Sequence, residues 1–314
     1  PGGNKLSPDD PDFEPISGVA IQLYSDSGEL LAETLTDETG RYEFGDLLPG
    51  TYSVVEVQPE GYLDGGDVIG TVDGVTTGTV SNDRFDGITI SSGDVGQNYD
   101  FCEHDPASLK GTVYHDRNDN GVQDAGEEGI GGVVIELFDA NDVLISSTTT
   151  DANGDYCFED LLAGQYKIRE SQPATFNDGK DTLGVVNGDD GRTTESGFVA
   201  DDTFCDIILT GGDEGVEFNF GELRPASISG TVHADANGDC VFNPADGDQP
   251  LAGVSLALLN EAGEVVGETV TDENGNYSFD DLRPGTYSVR EITPDGYVDG
   301  DEVLGTIEGE TVGS

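Results

Sequence analysis

Apolar and polar residues alternate in three short stretches of this chain. Val19-Ala20-Ile21-Gln22-Leu23, Val133-Val134-Ile135-Glu136-Leu137 and Val254-Ser255-Leu256-Ala257-Leu258 each set aliphatic side chains two positions apart. A period of two is the mark of a strand with one buried face. Turn signals follow at short intervals, as Ser27-Gly28, Asn141-Asp142 and Ala262-Gly263, then as Thr39-Gly40, Asn153-Gly154 and Asn274-Gly275. They supply the left-handed conformations that tight hairpins require. No stretch sustains a helical period. The expectation is an all-β chain built as sandwiches of roughly seven short strands each.

The same landmarks recur. Thr36-Asp37, Tyr42, Phe44 and Pro49-Gly50-Thr51-Tyr52 match Thr150-Asp151, Tyr156, Phe158 and Gly164-Gln165-Tyr166, and again Thr271-Asp272, Tyr277, Phe279 and Pro284-Gly285-Thr286-Tyr287. The repeated aspartates are about 114 and about 121 residues apart, a period too long for a solenoid and right for a whole domain. Pro106-Ala107-Ser108-Leu109-Lys110-Gly111-Thr112-Val113 recurs as Pro225-Ala226-Ser227-Ile228-Ser229-Gly230-Thr231-Val232 and marks where units meet. The units are read as 1–108, lacking its first strand, 109–227, complete, and 228–314, lacking its last strands. The recurring aromatics are core anchors in a chain without Trp.

Charge narrows the possibilities. With 12 Lys+Arg against 65 Asp+Glu the net charge is −53, which excludes a nucleic-acid partner. At 34% hydrophobic residues the chain is too apolar for a disordered acidic tail. No apolar run approaches about 18 residues, so no membrane insertion is expected. The chain has no Met and starts at Pro1, which reads as a processed product or a segment of a longer protein. The acidity itself has three readings: divalent-cation sites, solubility of an extended extracellular protein, or adaptation to high salt.

Spacing favours the first. Asp116, Asn118, Asn120, Val122 through its carbonyl, Asp124 and Glu127 follow the calcium-loop grammar of positions 1, 3, 5, 7, 9 and 12, with Gly121 at the sharp turn. Ca2+ is therefore the expected cofactor. The third unit carries a degraded copy, Asp235, Asn237, Asp239, Asn243 and Asp246, in which Cys240 replaces the turn glycine and Asp246 the closing Glu. The first unit has only the tail of a loop, Asp9, Asp10, Asp12 and Glu14. Asp37, Asp151 and Asp272, and the loop residues Asp64, Asp67, Asp178, Asp181, Asp299 and Asp301, are read both as secondary cation ligands and as caps of Asx turns.

The loop signature and the T-D-x-x-G-x-Y-x-F…G-x-Y segment together resemble the Sdr-type B domains of bacterial surface adhesins, relatives of the collagen-adhesin B-type, prealbumin-like module. The match covers nearly the whole chain three times. It implies Ig-like or prealbumin-like sandwiches in tandem, serving as calcium-stabilised extracellular spacers without catalytic activity. Some B-type relatives form a Lys to Asn isopeptide bond promoted by a buried Glu, and Lys110, Glu170 and Asn219 are the corresponding candidates.

Four cysteines allow three connectivities if all pair. Cys157 and Cys205 are private to the middle unit and are the candidate intradomain disulfide. Cys102 and Cys240 lie in different units, either free or joining neighbouring molecules. This usage fits an extracellular or cell-surface, oxidising location. No nucleophile elbow, zinc spacing or phosphate loop is present, and Asn276-Tyr277-Ser278 is the one glycosylation sequon. The expected function is a structural stalk, adhesin shaft or filament subunit, with a ligand-binding adhesin module that recognises an unknown host or matrix molecule as the alternative. The incomplete end units add one further expectation: a partner in a second copy of the chain, head-to-tail by strand complementation.

Overall fold

The computed structural model describes residues 14–188, 191–298, 300–307 and 309–313. In the first unit, β1 (Ala20–Ser25), β2 (Leu30–Leu35), β3 (Gly50–Glu56), β4 (Thr79–Ser81) and β5 (Arg84–Ile90) form an antiparallel sheet in the order β2-β1-β3-β5-β4. Ile21 pairs with Thr34 and Glu56, and Leu23 with Ala32 and Val54, so the alternation seen in the sequence sends Ile21 and Leu23 into the core.

The second unit has two facing sheets. Its strands are β6 (Ala107–His115), β7 (Val134–Asp139), β8 (Leu144–Thr149), β9 (Asp155–Leu161), β10 (Gly164–Glu170), β11 (Phe198–Ala200), β12 (Thr203–Leu209), β13 (Glu214–Val216) and β14 (Phe220–Leu223). One sheet runs β8-β7-β10-β12-β11. The other centres on β6, which pairs antiparallel with β9 and parallel with β13 and β14. Leu109, Ile135, Leu137, Ile168, Phe204 and Phe218 fill the space between the sheets. Gly111 lets the chains close up, because a Cβ there would lie 1.8 Å from the Phe218 carbonyl oxygen.

The third unit repeats the plan with β15 (Ala226–Thr231), β16 (Ser255–Asn260), β17 (Val265–Val270), β18 (Asn276–Leu282) and β19 (Tyr287–Glu291). Its sheet runs β17-β16-β19, and β15 pairs with β18 in the register that β6 keeps with β9: Ile228 opposite Phe279, as Leu109 is opposite Phe158. Around Tyr42 and Phe44 in the first unit, the counterpart of β9, no strand forms. Both rings still pack on that unit's core. A 3-10 turn at Pro244–Asp246 is the sole helical element among the described residues, so the all-β sandwich reading holds.

Two devices recur in every unit. A threonine hydroxyl donates to a carbonyl and accepts a backbone N–H across the same gap: Thr36 between Ile16 and Val19, Thr150 between Ile130 and Val133, Thr271 between Leu251 and Val254. The tyrosine after each turn donates its hydroxyl to the carbonyl four residues back, Tyr52 to Leu48, Tyr166 to Leu162 and Tyr287 to Arg283. Both satisfy backbone groups that the strands leave unpaired.

Candidate metal sites

The loop after β6 winds round Asp116, whose side chain is fully buried. Its Oδ1 accepts the N–H groups of Asn118 and Asn120 at 3.3 and 3.2 Å, and its Oδ2 accepts that of Gly121 at 2.7 Å. Gly121 sits at φ +81°, a left-handed conformation that costs glycine nothing. Asn118 and Asn120 both reach Asp124 Oδ2 at 2.9 Å. Glu127 closes the ring, accepting the Arg117 N–H at 2.8 Å on Oε1 and the Asp124 N–H at 2.9 Å on Oε2. Val122 donates its N–H to Asn120 Oδ1 at 2.6 Å. Five oxygen-bearing side chains are thus linked in one hydrogen-bonded ring, and oxygen donors suit a hard cation such as calcium.

The third unit builds the same loop with one change of register. Asp235 takes the place of Asp116, accepting N–H groups from Asn237, Gly238 and Cys240, which hold its carboxyl below the usual range. Asn237 donates to Asp239 Oδ2 at 3.0 Å. Cys240 adopts φ +61° where the second unit has Gly121. The closing residue is Asp248, not Asp246. Buried to 1% exposure, Asp248 accepts the Ala236 and Asn243 N–H groups at 2.9 and 2.8 Å, the same two loop positions that Glu127 holds. The 3-10 turn, capped by Asn243, displaces Asp246 outward, where it accepts only the Asn243 side-chain amide.

A second cluster lies beside the first loop. Glu170 at the end of β10, Asp202 before β12 and Glu222 on β14 bring carboxylate oxygens within 4.8 Å of one another, and Asp178, Asp181 and Asp202 do the same. Oxygens bound to one calcium at about 2.3–2.6 Å lie up to about 5 Å apart, so each trio matches the span of a single ion. Both oxygens of Glu170, and one each of Asp181, Asp202 and Glu222, are buried with no hydrogen-bond donor. Burial, followed by the neighbouring carboxylates, pushes Glu170 strongly upward. The same causes raise Asp181 to about 7 and Asp202 to about 6. Burial also raises Glu222, against the opposing hydrogen bond from Gln172. The first unit repeats the arrangement with Glu56, Asp83 and Glu103, and Asp67 there has a buried oxygen without a donor as Asp181 does.

Cluster and loop are joined. Lys180 donates to the Asp119 carbonyl, Thr182 to the Gly121 carbonyl, and Asp116 N–H to the Glu222 carbonyl. Asp178 and Asp181 were legible in the sequence as candidates. Glu170, Asp202 and Glu222 were not read as ligands, because they come from strands far apart in the chain. Recurrence was the available signal, since Glu56, Asp83 and Glu103 occupy the same places one unit earlier.

The other candidates fall elsewhere. Asp37, Asp151 and Asp272 cap turns, each accepting two backbone N–H groups on one oxygen. Glu14 and Asp301 are exposed, and Asp9, Asp10, Asp12 and Asp299 lie outside the described residues. Cys157 and Cys205 do not form the expected disulfide. All four cysteines are free, and these two alternate with inward Tyr156 and Phe158 on β9 and inward Phe204 on β12, so they face outward from opposite sheets with the core between them. The isopeptide trio is not assembled either. Lys110 points outward, its Nζ 3.8 Å from Glu214; Asn219 accepts the Thr112 N–H at 2.9 Å; Glu170 is buried in the carboxylate cluster.

Comparison with known proteins identifies the family. The family model described as SdrD B-like domain matches three times, over residues 4–102, 107–206 and 226–308. Serine-aspartate repeat-containing protein D of Staphylococcus aureus strain MW2 is 35% identical over 292 residues, covering 91% of this chain and 20% of that protein. Serine-aspartate repeat-containing protein F of Staphylococcus epidermidis is 32% identical over 311 residues, covering 93% and 16%. The chain therefore spans about a fifth or less of the length of these relatives. Among solved structures, the Bacillus anthracis TIE protein aligns at 19% identity with a TM-score of 0.32, covering 93% of this chain and 45% of that one. The shaft pilin SpaA from Lactobacillus rhamnosus GG aligns at 14% with a TM-score of 0.26, covering 62% and 90%. Repeat pattern, loop and family match coincide: the chain belongs to the SdrD B-like domain family, in three tandem copies.

Proposed function

We propose that this chain is a calcium-stabilised, non-enzymatic repeat array that serves as a stalk, adhesin shaft or filament subunit at the cell surface. The observation that carries this reading is the set of buried carboxylate oxygens on Glu170, Asp181, Asp202 and Glu222 that have no donor. Ionised together in a low-dielectric interior they repel one another and lack hydration. A divalent cation removes both penalties, and so does protonation. Protonation becomes more costly as pH rises, so the cation is the favoured partner toward alkaline pH, and the adjoining loop offers further oxygen ligands.

Binding at these places stabilises the folded unit alone, because the ligands come together only when the sheets close. A cation at about 100-fold its dissociation constant adds roughly 2.7 kcal/mol per site, a large fraction of the stability of a small domain. A rod of such units stays folded where calcium is plentiful. Membership of a family found in serine-aspartate repeat proteins supports placement at a cell surface.

Thermal unfolding in EDTA and then in millimolar calcium, with limited proteolysis of the same samples, tests the reading. A large rise in melting temperature, with protection of residues 116–127, is expected. An unchanged melting temperature and unchanged cleavage would overturn it.

A further inference from the structure

We propose that the joint between the second and third units is pinned, with Arg224 and Arg283 holding the third unit in one orientation against the loop after β6. The joint is short. β14 ends at Leu223 and β15 starts at Ala226, so only Arg224 and Pro225 lie between them. Proline fixes its own φ and restricts the residue before it, which leaves few orientations for weak contacts to choose among.

Arg224 seats the connection on the second unit. Its Nη2 lies 3.3 Å from Glu128 Oε1, and its guanidinium stands over the Phe176 ring, 5.4 Å from the centroid. Arg283 reaches back from the third unit. It occupies the turn between β18 and β19, where the Tyr287 hydroxyl holds the Arg283 carbonyl at 3.0 Å. Its Nε and Nη2 both approach Asp119 Oδ2, at 3.4 and 3.3 Å. Asp119 is itself held, with its backbone at φ +56° and its carbonyl accepting from Lys180. It is fourth in the loop that starts at Asp116, and the calcium-loop pattern takes side chains from positions 3 and 5 but not 4, so this carboxylate is free for the arginine. Burial raises Asp178, and the Arg283 charge works against that shift, so the arginine faces the carboxylate cluster as well as the loop.

Both cations are particular to this joint. The first joint has the same length, His104-Asp105-Pro106-Ala107, but Asp105 stands where the second has Arg224, and Leu162 stands in the turn where the third unit has Arg283. In a chain with 12 Lys+Arg against 65 Asp+Glu, neighbouring units repel one another. Two arginines facing Glu128 and Asp119 turn that repulsion into attraction at one place. An exposed ion pair favours its bound geometry by a factor of about five at most, and an exposed cation–π contact by a similar factor. The two pairs and the ring contact together favour the docked orientation about tenfold.

Residual dipolar couplings of the whole chain, in one alignment medium and one buffer, test this. The second and third units should fit a single alignment tensor. Both arginines are more than half exposed, at 57% and 52%, so replacing them leaves each core intact. Arg224→Gln together with Arg283→Gln should lower the docked population about tenfold. The two units should then need separate tensors, while chemical shifts inside each unit stay unchanged. Arg290→Gln, which takes the same charge from an exposed position on β19, should keep the single tensor. Separate tensors in the parent chain would overturn the proposal. So would a single tensor in the double variant, which would assign the orientation to other contacts, and so would separate tensors in the Arg290 variant, which would make net charge the cause.

Discussion

Glu170 and Glu222 bring carboxylate oxygens within 4.8 Å of each other while their side chains are 4% and 0% exposed. Two like charges so placed stay in a folded protein only if a proton or a cation joins them. The behaviour of the array under changing conditions follows from which of the two is present.

The first consequence is a pH dependence that calcium abolishes. Burial raises the folded-state pKa of Glu170 and Glu222, with Asp181 near 7 and Asp202 near 6 against an ordinary 3.8. Between the ordinary and the raised values the folded state holds more protons than the unfolded chain, so metal-free stability falls as pH rises. Differential scanning calorimetry in EDTA should give a higher melting temperature at pH 5 than at pH 8. Calcium should raise it far more at pH 8, where it competes with fewer protons.

Glu170→Gln separates charge from shape. In EDTA the variant should be more stable than the parent by about 1–3 kcal/mol, the range for relieving a buried unsatisfied group. In calcium the order should reverse, because a ligand is lost. Chemical denaturation in both buffers checks the crossover, and a variant less stable in both would remove the cluster from the account.

In the third unit, Asp248 and Asp246 make opposite predictions. Asp248→Asn takes a charge from a buried side chain that accepts two N–H groups and should destabilise that unit by about 1–3 kcal/mol. Asp246→Asn should change stability by less than about 0.5 kcal/mol, as for ordinary surface positions. Hydrogen exchange over residues 235–248 reads both.

Thr150→Val keeps the shape but removes the bond to the Ile130 carbonyl at 2.7 Å and leaves the Val133 N–H, 3.0 Å from the hydroxyl, without its acceptor. A loss of about 1–3 kcal/mol is expected from urea unfolding, and the same change at Thr271 should act alike on the third unit.

Reducing agent should leave the melting temperature unchanged, since all four thiols are free. Thiol labelling of the folded chain should modify Cys157, which is exposed, before the half-buried Cys102, Cys205 and Cys240. An intrachain crosslink between Cys157 and Cys205 in the intact mass would contradict the sheet assignment.

Strand parity alone places two of these side chains. Cys157 sits between Tyr156 and Phe158, and Lys110 between Leu109 and Gly111. A strand that turns the first pair inward must turn Cys157 and Lys110 outward. Privacy to one unit linked Cys157 with Cys205, but shared membership of a unit does not determine which sheet or face a residue takes. Counting along a loop of constant length points to Asp246. The Pro244 turn lengthens that loop by two residues and hands the closing position to Asp248.

Local order alone decided the strands, the turns, the threefold repeat and the loop from Asp116 to Glu127, because each depends on spacing within a few residues. Tertiary structure decided what closes over long separations. The parallel pairing of β6 with β13 and β14 carries Glu222 to Glu170, and the turn before β12 carries Asp202 to both. The carboxylates of this cluster become candidate ligands only when the sheets remove their water, and that burial is a property of the assembled sandwich, not of any segment within it.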